Sequence, residues 1–211
     1  MTVQTWLAFA AASAVLLVIP GPTILTVIAY SVSHKGRARL PLVAAVALGD
    51  STALVLSLVG LGALLAASAL AFSAIKIAGG LYLIYLGVKM LRSGIVPAAG
   101  PAAELHVSRR RLFLNTYTVT ALNPKGIIFF VAFLPQFLHS EGNVTLQLWI
   151  LGSTFVGLAI VNATLYAVFA ASARRMLSHG GAQRLFNGVG GGLLTAAGVW
   201  ALFARRVTAA V

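Results

Sequence analysis

The chain contains no cysteine, and only 3 of its 211 residues are acidic. The lack of cysteine excludes a disulfide framework, a thiolate nucleophile and a cysteine-ligated metal site. Charged residues make up 9% of the chain, which is too few to cover a soluble domain, where about a quarter of the residues are charged. This shortage argues against a soluble enzyme, a disordered chain and a nucleic-acid-binding domain, even though the net charge is +12.

Apolar residues, in contrast, make up 60% of the chain. They form six stretches, each long enough to cross a bilayer, which takes about 20 helical residues. We expect helices, because an open strand would leave backbone groups unsatisfied in lipid. The composition therefore predicts an all-α integral membrane protein with six transmembrane helices. The predicted spans cover residues 5–33, 40–67, 69–91, 112–138, 146–173 and 185–203.

Most of the 15 Lys and Arg residues fall in the predicted loops after spans one, three and five. The positive-inside rule places these loops in the cytoplasm and both chain termini outside. Arg205 and Arg206, near the carboxyl end, favour the opposite side. A five-span arrangement with one segment in the interface would remove this conflict, so the number of spans and the side of the termini stay open.

A predicted cytoplasmic linker at residues 93–111, which contains Pro97 and Pro101, divides the chain into two groups of three spans. We expect a single transmembrane transporter domain, with repeat one at about residues 1–92 and repeat two at about residues 112–206. An odd number of spans per repeat requires the halves to be inverted, an arrangement that recurs in transporters. Two glycine patterns with the same spacing support the match: Gly79, Gly80 and Gly87 in span three, and Gly190, Gly191 and Gly198 in span six.

Spans one and four are each broken by proline. A proline inside a helix removes a backbone hydrogen bond and clashes with the preceding turn, as expected at Pro20 and Pro22. Gly21-Pro22 and Asn123-Pro124 also resemble helix starts, in which an N-cap residue precedes a proline. A helix that restarts in the membrane directs free N–H groups and its positive dipole end at whatever lies in front of it. The two matching breaks favour a ligand site, and the alternative is a pair of kinked helices without a ligand.

Asp50 is the only acidic residue in any predicted span. A carboxylate there costs at least about 2.5 kcal/mol, so it needs a partner, a proton or a wet cavity. At about 1.5 Å per residue, Asp50 lies about 15 Å into span two and Lys125 about 20 Å into span four, which places both near the membrane midplane. We expect Asp50 to handle substrate or protons, and a static ion pair with Lys125 or Lys76 is the alternative.

Together these residues resemble the LysE/RhtB family of amino-acid exporters, from about Trp6 to Phe203. The resemblance implies a multi-pass transport protein of the bacterial inner membrane that exports amino acids, driven by the proton gradient. It depends on five motifs in this order: Pro20-Gly21-Pro22, Gly49-Asp50, Gly80-Leu81-Tyr82-Leu83-Ile84-Tyr85-Leu86-Gly87, Asn123-Pro124-Lys125, and Phe129-Phe130-x-x-Phe133-Leu134-Pro135-Gln136-Phe137.

The form of the fourth motif also predicts the cargo. Asn123-Pro124-Lys125 is similar to the homoserine/threonine branch of that family. The branch that exports lysine and arginine has a second aspartate several residues after Asn-Pro, where this chain has Phe129. A cationic side chain would lack this counter-charge, so the resemblance favours efflux of a neutral amino acid similar to homoserine or threonine.

The predicted mechanism is alternating access, in which the two halves rock about one midplane site. The α-carboxylate of the substrate would face the restarted helix ends, and its α-ammonium would approach Asp50. Competition between that ammonium and a proton for Asp50 would couple export to proton entry. The predicted substrate-binding residues are Pro20, Gly21, Pro22, Thr23, Asp50, Asn123, Pro124 and Lys125, and Asp50 is also the predicted proton-coupling residue.

No catalytic residue, metal ligand or cofactor is expected. The spans hold one carboxylate and no histidine at depth, which argues against an intramembrane enzyme and against a metal cargo. The expected partners are the amino acid, protons and membrane lipid, without nucleic acid, and a homo-oligomer is left open. The alternatives are an exporter of another small metabolite or cation, a channel, and a non-transport membrane assembly protein.

Overall fold

The computed structural model describes residues 1–34, 38–67, 69–92, 108–139 and 142–203. Within these ranges every regular element is a helix. A π-helical segment (Phe129–Phe133) and a 3₁₀ turn (Leu134–Phe137) continue the chain after α6. The α-helices are α1 (Val3–Val18), α2 (Pro22–His34), α3 (Arg39–Ala67), α4 (Ala69–Arg92), α5 (Arg109–Ala121), α6 (Pro124–Ile128), α7 (Val144–Val168), α8 (Ala170–Ser178) and α9 (Gly180–Phe203).

Three helical segments of this described part are long and apolar enough to cross a membrane: Arg39–Gly60, Arg109–Phe137 and Val144–Val168. Helices α1 and α2, which are bent by 54° at their break, form a fourth when they count as one span. These four correspond to predicted spans two, four, five and one. Helices α4 and α9 cover predicted spans three and six with 24 residues each. The architecture is that of an all-helical membrane protein.

The predicted course of span five is wrong at its end. Helix α7 stops at Val168, because Phe169 leaves the helical conformation at φ −97° and ψ 22°, and the separate short helix α8 follows. Several other predicted features lie outside the described residues. These are the boundary at Ser68, residues 93–107 of the linker, the side chain of Lys76, and Arg205 and Arg206.

Helices α4 and α9 pack closely through glycine. A Cβ atom built on Gly87 would lie 2.6 Å from the carbonyl oxygen of Gly191, and one built on Gly198 would lie 2.6 Å from that of Gly80. Only residues without a side chain allow two helix backbones to approach so closely. Because Gly80 meets Gly198 and Gly87 meets Gly191, the two helices run antiparallel.

A buried cluster of phenylalanines fixes the segment that follows α6. The ring of Phe129 packs against Phe9 of α1, with ring centroids 5.9 Å apart, and against Phe155 of α7, with centroids 5.4 Å apart. Phe130 also meets Phe155, edge to face, at 4.7 Å. The broken fourth span is thereby held between the first span and α7.

Candidate functional site

The break between α1 and α2 leaves helix carbonyls without backbone partners. Ile19 is extended, at φ −67° and ψ 114°, as expected for a residue that precedes proline. Pro20 and Pro22 have no N–H, so the carbonyls of Leu16 and Val18 lose the donors that would lie four residues further on. The predicted helix restart is confirmed, since α2 begins at Pro22.

Lys125 bonds to the broken end of α1. Its Nζ donates to the carbonyl oxygen of Leu16 at 2.9 Å and to that of Ile19 at 2.8 Å. We expected this ammonium to meet a substrate carboxylate or to pair with Asp50. It instead lies at the negative end of the α1 dipole, where a cation is favoured.

Two neutral side chains of α7 cap the remaining carbonyls. Asn162 Nδ2 donates to the carbonyl oxygen of Leu17 at 3.0 Å, and the Tyr166 hydroxyl donates to that of Val18 at 2.8 Å. Asn162 and Tyr166 are four residues apart and therefore share one face of α7. All four carbonyls at the end of α1 are thus satisfied by side chains from the second half of the chain.

Replacing Tyr166 with phenylalanine is expected to lower the free energy of unfolding by about 1–3 kcal/mol, because the Val18 carbonyl would be left without a partner in an apolar setting. Thermal unfolding of the purified protein in detergent would measure this change. Tyr85→Phe is the matched control, since Tyr85 is exposed on α4. Equal midpoints for the two variants would show that the Tyr166 hydroxyl does not stabilise the break.

The second break lies directly against the first. Asn123 caps α6 through its side chain, which accepts from the Lys125 N–H at 3.1 Å, and Pro124 is the first helical residue, as predicted. Asn123 Nδ2 also donates to the hydroxyl oxygen of Thr23, at 3.1 Å, in the first turn of α2. The two proline-broken spans are therefore joined by a buried hydrogen bond.

A small cavity of about 30 Å³ lies where the breaks meet. Five of the eight predicted substrate-binding residues line it, whereas Pro20, Pro22 and Pro124 shape the backbone around it. A cavity of this size has room for water but not for an amino acid, so a substrate could enter only if the site widened. The lining residues predicted from the sequence are Gly21, Thr23, Asp50, Asn123 and Lys125.

Asp50 faces this cavity with 8% of its surface exposed. Within the described ranges, no hydrogen bond or salt bridge reaches its carboxylate, so the static ion pair with Lys125 is not formed. The neighbouring Gly49 sets the position of Asp50, since a Cβ atom there would lie 2.7 Å from the Cβ of Thr120 in α5. The backbone next to the carboxylate is therefore held in place by packing against α5.

The sequence predicted most of the polar residues that line the cavity, but not the apolar residues that line it. Asn162 bonds across helices to Leu17 and also lines the cavity. Tyr166 was not singled out, although its position four residues after Asn162 is a signal that the two share a face. The apolar walls Leu16, Val46 and Phe155 were also missed, because nothing in their local sequence separates them from other apolar residues.

Comparison with known families gives a match over most of the chain. The family described as LysE type translocator matches residues 14–205. No solved structure matches the chain significantly.

The chain is also similar to named bacterial membrane proteins. A homoserine/homoserine lactone efflux protein of Salmonella typhimurium is 37% identical, over 81% of this chain and 82% of that protein. A leucine efflux protein of Klebsiella pneumoniae is 25% identical, over 64% of each chain. An uncharacterized membrane protein of Vibrio cholerae is 30% identical, over 84% of this chain and 86% of its own length.

Proposed function

The chain belongs to the LysE type translocator family, and on that basis we propose that it exports a neutral amino acid, similar to homoserine or threonine, across the bacterial inner membrane in exchange for protons. As a family member it is a multi-pass membrane transport protein and not an enzyme. The names of two relatives support the cargo class, since homoserine and leucine are both neutral amino acids. The observation that carries the proposal is that two broken spans meet at one cavity with a buried carboxylate, which has no partner among the described residues.

The substrate is bound in this proposal by both of its charged groups. The α-ammonium approaches the Asp50 carboxylate, which has no partner in the described part of the protein. The α-carboxylate faces the start of α2, where the first backbone bond is made by Leu25, whose N–H donates to Gly21 at 3.0 Å. The N–H groups of Thr23 and Ile24 precede that bond and have no partner within the helix, and such N–H groups at helix starts bind anions. Lys125 is already bonded to α1 and supplies only its charge.

Proton coupling in this scheme follows from competition at a single group. Asp50 binds either a proton or the substrate ammonium, because one buried carboxylate cannot hold both. Substrate that leaves on the outer side exposes the carboxylate to a proton, which then enters with the return of the empty carrier. Export and proton entry are thereby linked through Asp50 alone.

The two halves of this transporter are proposed to be inverted three-helix repeats, with six spans in all. The glycine contacts support this arrangement. By their spacing, Gly80 of α4 corresponds to Gly191 of α9, and Gly87 corresponds to Gly198. Gly80 meets Gly198 while Gly87 meets Gly191, which is the reciprocal pattern that a two-fold axis between the halves produces.

The proposed function is tested in bacterial cells that express the protein and are loaded with dipeptides. Intracellular hydrolysis raises one amino acid at a time, and its appearance in the medium is followed for threonine, homoserine, leucine and lysine. We expect faster release of one or more neutral amino acids than from cells with an empty vector, and no change for lysine. Release at the vector rate for every amino acid, with the protein confirmed in the membrane, would contradict amino-acid export.

Replacing Pro20 with alanine is expected to slow export severalfold. Alanine restores an N–H four residues after Leu16, so the backbone competes with Lys125 for that carbonyl and the helix straightens. Pro41→Ala is the matched control, because Pro41 lies in the first turn of α3, where its missing N–H has no helical partner in any case. Equal release rates from the two variants would show that the break in the first span is not needed for transport.

A further inference from the structure

The carboxyl end of α1 has the geometry of a cation site. The carbonyl oxygens of Leu16 and Ile19 converge on one point, at 2.9 and 2.8 Å from Lys125 Nζ. Gly21 lies beside this point and has no side chain to fill the space there. A Cβ atom built on Gly21 would lie 3.4 Å from the same nitrogen. Helix carboxyl ends carry partial negative charge, which favours a cation at this position.

A carboxylate lies in the same cavity as that point. Asp50 lines the same cavity as Lys125, and its oxygens accept no hydrogen bond from the described residues. Carbonyl oxygens of an unwound helix end are the ligands with which transporters built on broken helices coordinate Na⁺. Hard cations in general prefer carboxylate and carbonyl oxygens. The two carbonyl oxygens, with the carboxylate in the same cavity, are suitable ligands for a monovalent cation in the place of the ammonium.

The charge of Lys125 is not required merely to satisfy backbone carbonyls. The adjacent carbonyls of Leu17 and Val18 belong to the same helix end, and neutral side chains, Asn162 and Tyr166, satisfy them. A charged side chain near the midplane is far more expensive than an amide or a hydroxyl. The position of Lys125 therefore indicates a place where a positive charge itself is needed, in the same cavity as Asp50.

We propose that the broken end of α1 is an alkali-cation site which this protein fills with the tethered ammonium of Lys125. The exporter accordingly needs neither Na⁺ nor K⁺, and removing the lysine charge opens the site to a free alkali cation. The inference rests on the proposed function in that it concerns the cavity assigned to the substrate. Its test uses only purified protein and simple salts, so it does not depend on the identity of the cargo.

The test is the thermal stability of the Lys125→Met variant in detergent. Methionine has a similar length and no charge. Unfolding midpoints are compared in NaCl, KCl and choline chloride at equal ionic strength. We expect the midpoint of the variant to rise by about 3 °C or more, saturably, in NaCl or KCl relative to choline chloride, because a cation that binds only the folded state stabilises it. The wild type should show no such difference.

Three further variants test whether the cation response depends on the charge of Lys125 and on Asp50. Lys89→Met removes the same charge from an exposed position on α4 and should behave as the wild type does. Lys125→Gln keeps a donor for one carbonyl, which protects the fold, and should show a smaller cation response. Adding Asp50→Asn to Lys125→Met should abolish the response. Identical midpoints in the three salts for folded Lys125→Met or Lys125→Gln would overturn the proposal, as would an equal cation response in the wild type.

This result is separate from the proposed function. A cation response in the Lys125 variants supports the site even if dipeptide-loaded cells release no amino acid, in which case only the proposed cargo fails. Conversely, normal amino-acid release combined with no cation response leaves the exporter intact and removes the cation site.

Discussion

Replacing Asp50 with asparagine is expected to reduce amino-acid export by about 10- to 150-fold while leaving the amount of protein in the membrane unchanged. Hydrogen bonds to charged groups are worth about 1.5–3 kcal/mol, and every 1.4 kcal/mol changes binding tenfold. Asparagine also cannot accept and release a proton, so proton coupling is lost together with the contact to the substrate ammonium. Stability should not fall, because the described protein makes no bond to the Asp50 carboxylate that the amide would break.

The measurement is release from dipeptide-loaded cells, with the variant quantified in isolated membranes. Glu141→Gln makes the same carboxylate-to-amide change outside the predicted spans and should export at the wild-type rate. Wild-type export by Asp50→Asn would exclude Asp50 from substrate binding and proton coupling. Loss of the variant from the membrane would instead indicate that the carboxylate has a structural role.

Replacing Gly191 with alanine is expected to lower the unfolding midpoint by about 2–12 °C. The new methyl group would lie 2.7 Å from the carbonyl oxygen of Gly87 and 3.0 Å from the backbone nitrogen of Leu91. Backbone atoms cannot move aside as a flexible side chain can, so α4 and α9 must separate. Overpacking of this kind costs about 1–3 kcal/mol, or roughly 2–4 °C per kcal/mol for a chain of this length.

Gly192, the residue next to Gly191, provides the control for this substitution. A Cβ atom built on Gly192 meets nothing within 4 Å, so Gly192→Ala introduces the same methyl group without a clash. Alanine favours a helix over glycine by about 1 kcal/mol, so this variant should be as stable as the wild type or slightly more so. Both are measured by thermal unfolding in detergent. Equal midpoints for the two variants would show that the close approach of α4 and α9 does not contribute to stability.

The features that sequence reasoning predicted correctly are those that local rules determine. Pro22 and Pro124 begin helices, and Asn123 caps the second of them, because proline and N-cap preferences depend only on neighbouring residues. Counting residues along the helices predicted a similar depth for Asp50 and Lys125, and the two residues line one cavity. The break positions and most polar lining residues of the candidate site are therefore predictable from the amino-acid sequence alone.

Features that depend on which helices become neighbours could not be predicted in this way. The partner of Lys125 is the end of α1, which lies more than 100 residues earlier in the sequence, and pairing with Asp50 was an equally reasonable expectation. The sequence likewise does not separate Gly191, which packs against α4, from Gly192, which faces open space. The 54° bend between α1 and α2 was also not calculable, because a proline break permits a range of angles.

The capping of α1 has a consequence for the biosynthesis of the protein. Lys125, Asn162 and Tyr166, which satisfy the end of α1, are all made well after α1 itself has left the ribosome. Until they arrive, the carbonyls of Leu16 and Val18, whose backbone donors are replaced by Pro20 and Pro22, have no partner in a membrane where lipid offers none. We therefore expect the first span to reach its final shape only when α6 and α7 have been inserted. The amino-terminal half of the chain then completes its folding only after the carboxyl-terminal half has been made.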